Sequence, residues 1–350
     1  MGMTVSKQRV VQVGKRHVGT GYPTYVIAEI GSNHDQQLDT ALEMISRAAD
    51  AGANAVKFQS LRFDELYHPA TESESFRNWF MQIELDEAWY PPLAAQARRC
   101  GVDFLSAPTY ERAIGLLQSV GAPALKLASP QVQGNISLLR NAASTGLPLI
   151  LSMGYSDYGD VLRAVDACLD VGNANLILLH CVSKYPTSPH EANLSFIRTL
   201  QAMTGMPVGY SDHTMGSHLA VAAVALGACI VEKHVTIDRS RPGPDHHFSL
   251  TFEEFGEMVS QLRDVEQAIG DGTRLAFRVG ELELREKVKL KAIAVSAIAC
   301  GEPLTTGNTR FMRAASEGLG ETEIGDIARF LARRHIAAGT VLDWPDIQLA

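Results

Sequence analysis

The residues able to do chemistry in this chain are few and of contrasting kinds. Lys57 and Lys126, with the hydroxyls of Ser129, Ser152 and Ser211, form a set suited to holding a phosphate or carboxylate, because ammonium charges and short hydroxyl donors match anionic oxygens. His213 and His234 could meet as imidazole ligands of a divalent metal. Asp245 follows closely enough to join them, and open positions would remain for water or a substrate oxygen. The alternative is that both histidines only hydrogen-bond a substrate. Glu29 is the candidate acid–base group, since burial near a cation tunes a carboxyl pKa; its competing role is as the structural partner of Lys57. No Ser-His-Asp order, Walker loop or HExxH helix is present.

For these side chains to act together, the fold must bring them to one place. Eight short apolar runs recur at 25–31, 53–60, 103–108, 124–129, 147–154, 174–181, 207–213 and 229–236. Each is too short for a globular helix, and near-continuous apolarity suits a parallel strand covered on both faces. Stretches with apolar residues three and four apart lie between most of them, and Gly52, Gly101, Gly146 and Gly227 sit where helix C-caps are expected. Eight strand–helix units in about 250 residues predict an α/β fold, a closed (β/α)8 TIM barrel. No GxGxxG follows the first run to favour an open doubly wound sheet.

In a TIM barrel, chemistry collects at the C-terminal ends of the strands. Polar residues sit there in this chain: Glu29 before Gly31-Ser32-Asn33-His34, Lys57 with Gln59, Lys126 with Ser129 and Gln131, and Ser152. Ser183 with Tyr185, Ser211 with His213, and Glu232 with His234 complete the series. Any one of these has an ordinary packing explanation, but repetition at the same end of nearly every strand predicts a polar barrel mouth. The Gly- and Pro-punctuated loop 241–250 is suited to closing over it. Asp35, Asp86 and the aromatic run 76–83 read instead as solvated or packing features.

Of the 350 residues, 46% are hydrophobic, enough for a large core and too many for a disordered chain. A net charge of −8 argues against nucleic-acid binding. No apolar run approaches the roughly 18–20 residues that span a bilayer. The start is no signal peptide, and the five widely spaced cysteines read as buried thiols, so a cytoplasmic protein with neither membrane nor nucleic-acid partner is expected. The predicted boundaries are a barrel domain at 1–275 with an N-terminal hairpin at 8–22, a linker at 276–285, and a small β-rich domain at 286–350. That last domain has so little core that it should lean on a partner surface, either its own barrel or a second subunit.

Several motifs, taken in order, carry a family resemblance. They are Ala28-Glu29-Ile30-Gly31 with Asn33-His34, Ala55-Val56-Lys57-Phe58-Gln59, Lys126-Leu127-Ala128-Ser129, and Leu151-Ser152 with Gly154. They continue with His180-Cys181 and Tyr185-Pro186-Thr187, Gly209-Tyr210-Ser211-Asp212-His213-Thr214, and Glu232-Lys233-His234 followed by Arg241-Pro242-Gly243-Pro244-Asp245. Together they resemble the sialic acid synthase (N-acetylneuraminate synthase) family, which includes legionaminic and pseudaminic acid synthases and spore coat polysaccharide biosynthesis proteins. The resemblance implies that phosphoenolpyruvate condenses with an N-acylated amino sugar and water. The products would be a nine-carbon 2-keto acid and phosphate, formed by C–O cleavage, in surface polysaccharide biosynthesis. It assigns Lys57, Lys126, Ser129, Ser152 and Ser211 to phosphoenolpyruvate, and His213 and His234 to an Mn2+ or Mg2+ ion that polarises the sugar aldehyde. Glu29 becomes the base, while Gln59, Tyr185 and Asp245 become sugar contacts. The C-terminal segment resembles an antifreeze-like (SAF) domain, which implies a domain-swapped homodimer in which Arg313, or else Arg310, reaches the partner's site.

Departures from the family pattern gather on the sugar side. Gln131 stands where Glu is frequent, Ser183 where Asn is common, and the stretch around 70–85 diverges altogether. The acceptor expected is therefore a modified relative of N-acetylmannosamine. Two rivals stand beside this reading. One is a synthase of a shorter keto sugar acid using a sugar phosphate, which would want additional arginines. The other is a non-catalytic carbohydrate-biosynthesis homologue.

Overall fold

The eight apolar runs become eight parallel strands in a computed structural model that describes residues 9–273 and 280–350. The sequence start at 1–8 and part of the expected linker, 276–279, lie outside the described residues. The chain divides into two compact units, Met1–Gly270 and Asp271–Ala350.

The first unit opens with an antiparallel hairpin, β1 (Val11–Val13) and β2 (Arg16–Val18). The barrel strands follow as β3 (Tyr25–Gly31), β4 (Ala55–Ser60), β5 (Asp103–Pro108), β6 (Leu125–Leu127), β7 (Leu149–Ser152), β8 (Leu176–Cys181), β9 (Val208–Asp212) and β10 (Ile230–Thr236). Their order is β5-β4-β3-β10-β9-β8-β7-β6, with β5 touching β6 across the closing seam; β11 (Leu250–Thr251) adds to the edge of β10.

Alternation along each strand sorts two apolar layers. Val26, Ala28, Ile30, Val56 and Phe58 turn outward beneath the helices. Ile27, Ala55, Leu105, Ile150, Leu179 and Ile230 turn inward, where Val11, Val13 and Val18 of the hairpin meet them and plug one end of the barrel. The helices bury stripes at helical spacing. Leu38–Asp50, for example, covers Ala41, Met44, Ile45 and Ala48. Gly101, with φ of 73°, closes the helix Tyr90–Cys100 in the left-handed conformation that a side chain would resist. At Phe252–Ile269, the Thr251 hydroxyl accepts from the Glu254 amide while the Glu254 carboxylate accepts from the Thr251 amide.

The second unit contains the helix Glu281–Val288, which starts inside the segment expected to be linker, and two small antiparallel sheets. One pairs β12 (Leu290–Ala294) with β13 (Thr309–Arg313), the other β14 (Phe330–Ala332) with β15 (Ile347–Leu349). They enclose a separate apolar core that includes Ala292, Ile298, Leu304, Ile324 and Leu342. This is consistent with an antifreeze-like domain. Among the cysteines, Cys168, Cys181 and Cys229 are buried as expected, but Cys300 is exposed because it falls at the tight turn before Gly301. Among the described residues no helix is long and apolar enough to cross a membrane.

Candidate active site

The site follows from a single step in the strand pattern. On β3, β4, β7, β8 and β10 the inward apolar residues Ile27, Ala55, Ile150, Leu179 and Ile230 are followed two positions later by Glu29, Lys57, Ser152, Cys181 and Glu232. Lys126 follows Ala124 in the same way, Ser211 follows Gly209, and only Ala107 on β5 stays apolar. This ring floors a cavity of about 650 Å3 at the C-terminal mouth. One more step of two brings Gln59, His213 and His234 into the same cavity.

The floor is an ion network withdrawn from water. Lys57 Nζ lies 2.8 Å from Glu29 Oε2 and 3.7 Å from Glu232 Oε2, and Lys126 Nζ lies 3.2 Å from Glu232 Oε1. All four side chains are at most 4% exposed. Gln59 Nε2 donates to Glu29 Oε1 at 2.9 Å, and Ser211 Oγ donates to Glu232 Oε1 at 2.8 Å. The two carboxyls consequently diverge. Burial, reinforced by the charge of Glu232, raises Glu29 to about 7 against the pull of Lys57. Glu232 is pushed below the ordinary range, because Lys126 and Lys57 overcome its own burial. Burial lowers Lys126, whereas at Lys57 the carboxylates of Glu232 and Glu29 outweigh burial and raise it. The ion-pair role considered for Glu29 is therefore real, and it coexists with a pKa suited to proton transfer.

The histidines form the opposite wall. His213 Nδ1 lies 2.8 Å from the Val182 carbonyl, which can only accept, so this nitrogen carries the proton and Nε2 presents a lone pair. His234 Nδ1 is buried without a hydrogen-bond partner, 3.8 Å from Asp245 Oδ2. Burial pulls His213 down to about 4 and His234 well below its usual value, so both rings are neutral. Their centroids are 5.6 Å apart, and the Tyr185 ring lies 4.3 Å from that of His213. Ser152 Oγ is also buried without a partner, while Ser129 Oγ accepts from the Gly154 amide at 3.0 Å.

Of the residues singled out in the sequence, Glu29, Lys57, Gln59, Lys126, Ser129, Gln131, Ser152, Tyr185, Ser211, His213 and His234 line the cavity. Ser129 and Gln131 do so from the short helix Ser129–Gly134, not from a strand. Asp245 stands behind His234, outside the lining. Ser183 lies beside Gly154, where a Cβ would come within 2.3 Å of its hydroxyl. Arg313 and Arg310 are exposed on β13 of the second unit.

Two sequence readings need correction. The run 76–83 is not simply packing, since Trp79, Phe80 and Ile83 form part of the cavity wall. Asp35 is not merely solvated: it accepts from Arg241 Nη1 at 3.0 Å and lies 2.9 Å from His246 Nε2, pinning the loop after β10 to the loop after β3. Glu232, which the sequence placed at the mouth beside His234 without assigning it a role, is the hub of the ion network.

Comparisons with known proteins find relatives in both sequence and fold. The N,N'-diacetyllegionaminic acid synthase of Legionella pneumophila is 34% identical over 345 residues, covering 94% of this chain and 96% of that protein. A crystal structure of N-acetylneuraminic acid (sialic acid) synthetase from Leptospira borgpetersenii, in complex with citrate, superposes with a TM-score of 0.74 at 34% identity, covering 80% of this chain and 98% of that one. The spore coat polysaccharide biosynthesis protein SpsE of Bacillus subtilis superposes with a TM-score of 0.68 at 33% identity, covering 98% and 100%. Residues 44–274 match the NeuB family, and the chain belongs to that family.

Proposed function

We propose that this protein is a cytoplasmic synthase that condenses phosphoenolpyruvate with an N-acylated amino sugar, giving a nine-carbon 2-keto acid and phosphate for surface polysaccharide synthesis. The observation that carries this reading is the buried floor, where two ammonium groups and two carboxyls of opposed pKa meet facing neutral imidazoles. Lys57 and Lys126 bind the anionic oxygens of phosphoenolpyruvate, Ser129 and Ser152 donate to them, and Ser211, whose proton goes to Glu232, lines the same pocket. The buried Ser152 hydroxyl, lacking a protein partner, is a donor ready for substrate. In the reaction, C3 of phosphoenolpyruvate bonds to the aldehyde carbon, whose oxygen is protonated. Water adds to C2 and gives up one proton; as the C2–O bond to phosphate breaks, the new C2 hydroxyl loses the other to the departing phosphate and C2 becomes the ketone. Glu29, near 7, takes the proton that water loses. Gln59, Gln131 and Tyr185 line the sugar side, with Ser183 and Asp245 just behind them.

A divalent ion, Mn2+ or Mg2+, fits His213 and His234. Both rings are kept neutral, and a buried ring nitrogen of His234 lacks a partner. The two imidazoles would supply part of the coordination shell, and substrate or water oxygens would complete it. When bound, the ion would polarise the acceptor carbonyl. We also propose a domain-swapped homodimer in which Arg313, with Arg310 as the alternative, serves the partner's site.

Phosphate release, measured with a panel of N-acyl amino sugars with and without chelator, tests the reading. Release should require an acceptor, stop with chelator and return with Mn2+ or Mg2+. No release with any acceptor would favour a binding protein. For the dimer, sedimentation should give twice the chain mass, and mixing Arg313→Ala with an inactive barrel variant should restore part of the activity.

A further inference from the structure

We infer that the second unit carries an anion site of its own, a cavity of about 490 Å3 that takes a phosphate group around the buried Lys291 ammonium. Every residue lining it belongs to Asp271–Ala350, so the site is built without the barrel and does not rest on the synthase reading. Lys291 is the anomaly that points to it. Alternation along β12 sends Ala292 and Ala294 into the small core and leaves Lys291 on the opposite face, where a lysine ordinarily reaches water. It is instead 5% exposed. Its Nζ donates to the Ser316 carbonyl at 2.8 Å, and among the described residues it pairs with no carboxylate. That carbonyl satisfies one of three N–H donors and none of the charge. A buried ammonium without a counter-charge is rare and costly. Nearby Lys289 shows the ordinary arrangement, a partly exposed side chain paired with Glu323.

The surroundings supply the anion's other partners. Glu283 and Lys287, four apart on the helix Glu281–Val288, both line the cavity, so one face of that helix turns toward it. Arg313, opposite Leu290 in the β12–β13 register, lines the rim. Among the described residues neither Lys287 nor Arg313 is held by a carboxylate. Ala314 and Ala315 add only methyl groups to the wall. Three cations against the exposed carboxylates of Glu283 and Glu317 leave the cavity net positive in a chain whose net charge is −8. A phosphate carries close to two negative charges on tetrahedrally arranged oxygens, so it accepts from ammonium and guanidinium donors on several sides; a planar carboxylate serves fewer of them. Bound there, it would bridge the helix to β12 and supply the charge that Lys291 lacks.

Calorimetric titration of the full chain with inorganic phosphate tests the site, with glucose 6-phosphate and succinate titrated in parallel. Lys291→Met should bind one phosphate fewer per chain than the parent, because Lys57 and Lys126 of the barrel are present in both. Lys287→Met, an exposed position whose replacement leaves the core untouched, should weaken the same phosphate at least threefold and keeps the test decisive if Lys291→Met does not fold. Succinate should bind there at least tenfold more weakly than phosphate. Binding of either phosphate source supports the inference, and the ratio of the two affinities tells a free phosphate from a phosphate monoester as the ligand. Identical phosphate isotherms for the parent and the folded variants, or succinate bound as tightly as phosphate, would overturn it.

Discussion

Lys233 Nζ lies 2.8 Å from Asp212 Oδ2, with both side chains wholly buried on the faces of β10 and β9 that turn away from the cavity. The same ammonium donates to the Thr214 carbonyl at 2.5 Å, and Asp212 Oδ1 accepts from the Thr214 amide and hydroxyl. Lys233 alternates with Glu232 and His234, and Asp212 with Ser211 and His213, so the pair clamps the backbone that holds the two imidazoles. Removing one partner leaves an uncompensated buried charge, a loss of about 3–5 kcal/mol. Lys233→Met and Asp212→Leu should each lower the urea midpoint accordingly, and the double variant should recover much of it. Singles that lose no stability would mean the pair contributes nothing to the fold.

Two glycines separate site from scaffold. A Cβ at Gly154 would stand 2.3 Å from Ser183 Oγ and 2.7 Å from Ser129 Oγ, atoms that can rotate aside but would break the Gly154–Ser129 bond. At Gly209 it would meet the Ile230 carbonyl at 2.7 Å and Cβ at 2.6 Å, which cannot move without shifting β10. Gly154→Ala should therefore weaken phosphoenolpyruvate binding at least tenfold with a nearly unchanged melting temperature. Gly209→Ala should lower stability by about 1–3 kcal/mol or more, through overpacking. Calorimetric titration and thermal melts distinguish the two; a reversed pattern would contradict these placements.

The parts of the site legible in the sequence are those governed by alternation. A parallel strand buried on both faces exposes its inward positions to inspection, so Glu29, Lys57, Lys126 and Ser152 declare themselves as polar residues two steps beyond an apolar one. Gln131 and Tyr185 sit just past strand ends and were still within reach of that reading, whereas the wall at Leu66, Trp79 and Phe80 lies on short helices, where no period tells lining from packing. Aromatic residues that stack on one another look the same in sequence whether or not one ring also faces a cavity. Glu232 could be placed at the mouth but given no role, because the partners that identify it, Lys57 and Lys126, come from strands distant in sequence.

His34 ties pH to stability. Its ring packs against Trp89 at 5.5 Å and Phe58 at 6.2 Å, Nδ1 accepts from the Gln36 amide, and Nε2 is buried without a partner. Burial holds it neutral down to about 4, below the ordinary histidine value of 6.5. Between those values the unfolded chain binds a proton that the folded one does not, so stability is full above about 6.5 and falls as pH drops toward 4. The difference is roughly 3 kcal/mol at 1.36 kcal/mol per pH unit. His34→Leu should lose less urea resistance than the parent between pH 7.5 and pH 5. Parallel losses would place the proton uptake elsewhere.

The opposed carboxyls on the floor make the sharpest kinetic prediction. If Glu29 acts as the base, kcat/KM should rise with pH through about 7 as its carboxylate forms, and Glu29→Gln should lower it by about 10²–10⁴-fold. A phosphate monoester also loses a proton near pH 6, so the rise alone does not assign the limb. Glu232→Gln resolves it. The Glu232 charge helps hold Glu29 up, and its removal also leaves Lys57 to Glu29 alone. Both effects favour the Glu29 carboxylate, so whatever activity Glu232→Gln retains should show its limb displaced to lower pH. A substrate proton would not move with that substitution. A limb at unchanged pH in Glu232→Gln would assign the titration to phosphoenolpyruvate and remove Glu29 from the proton-transfer step.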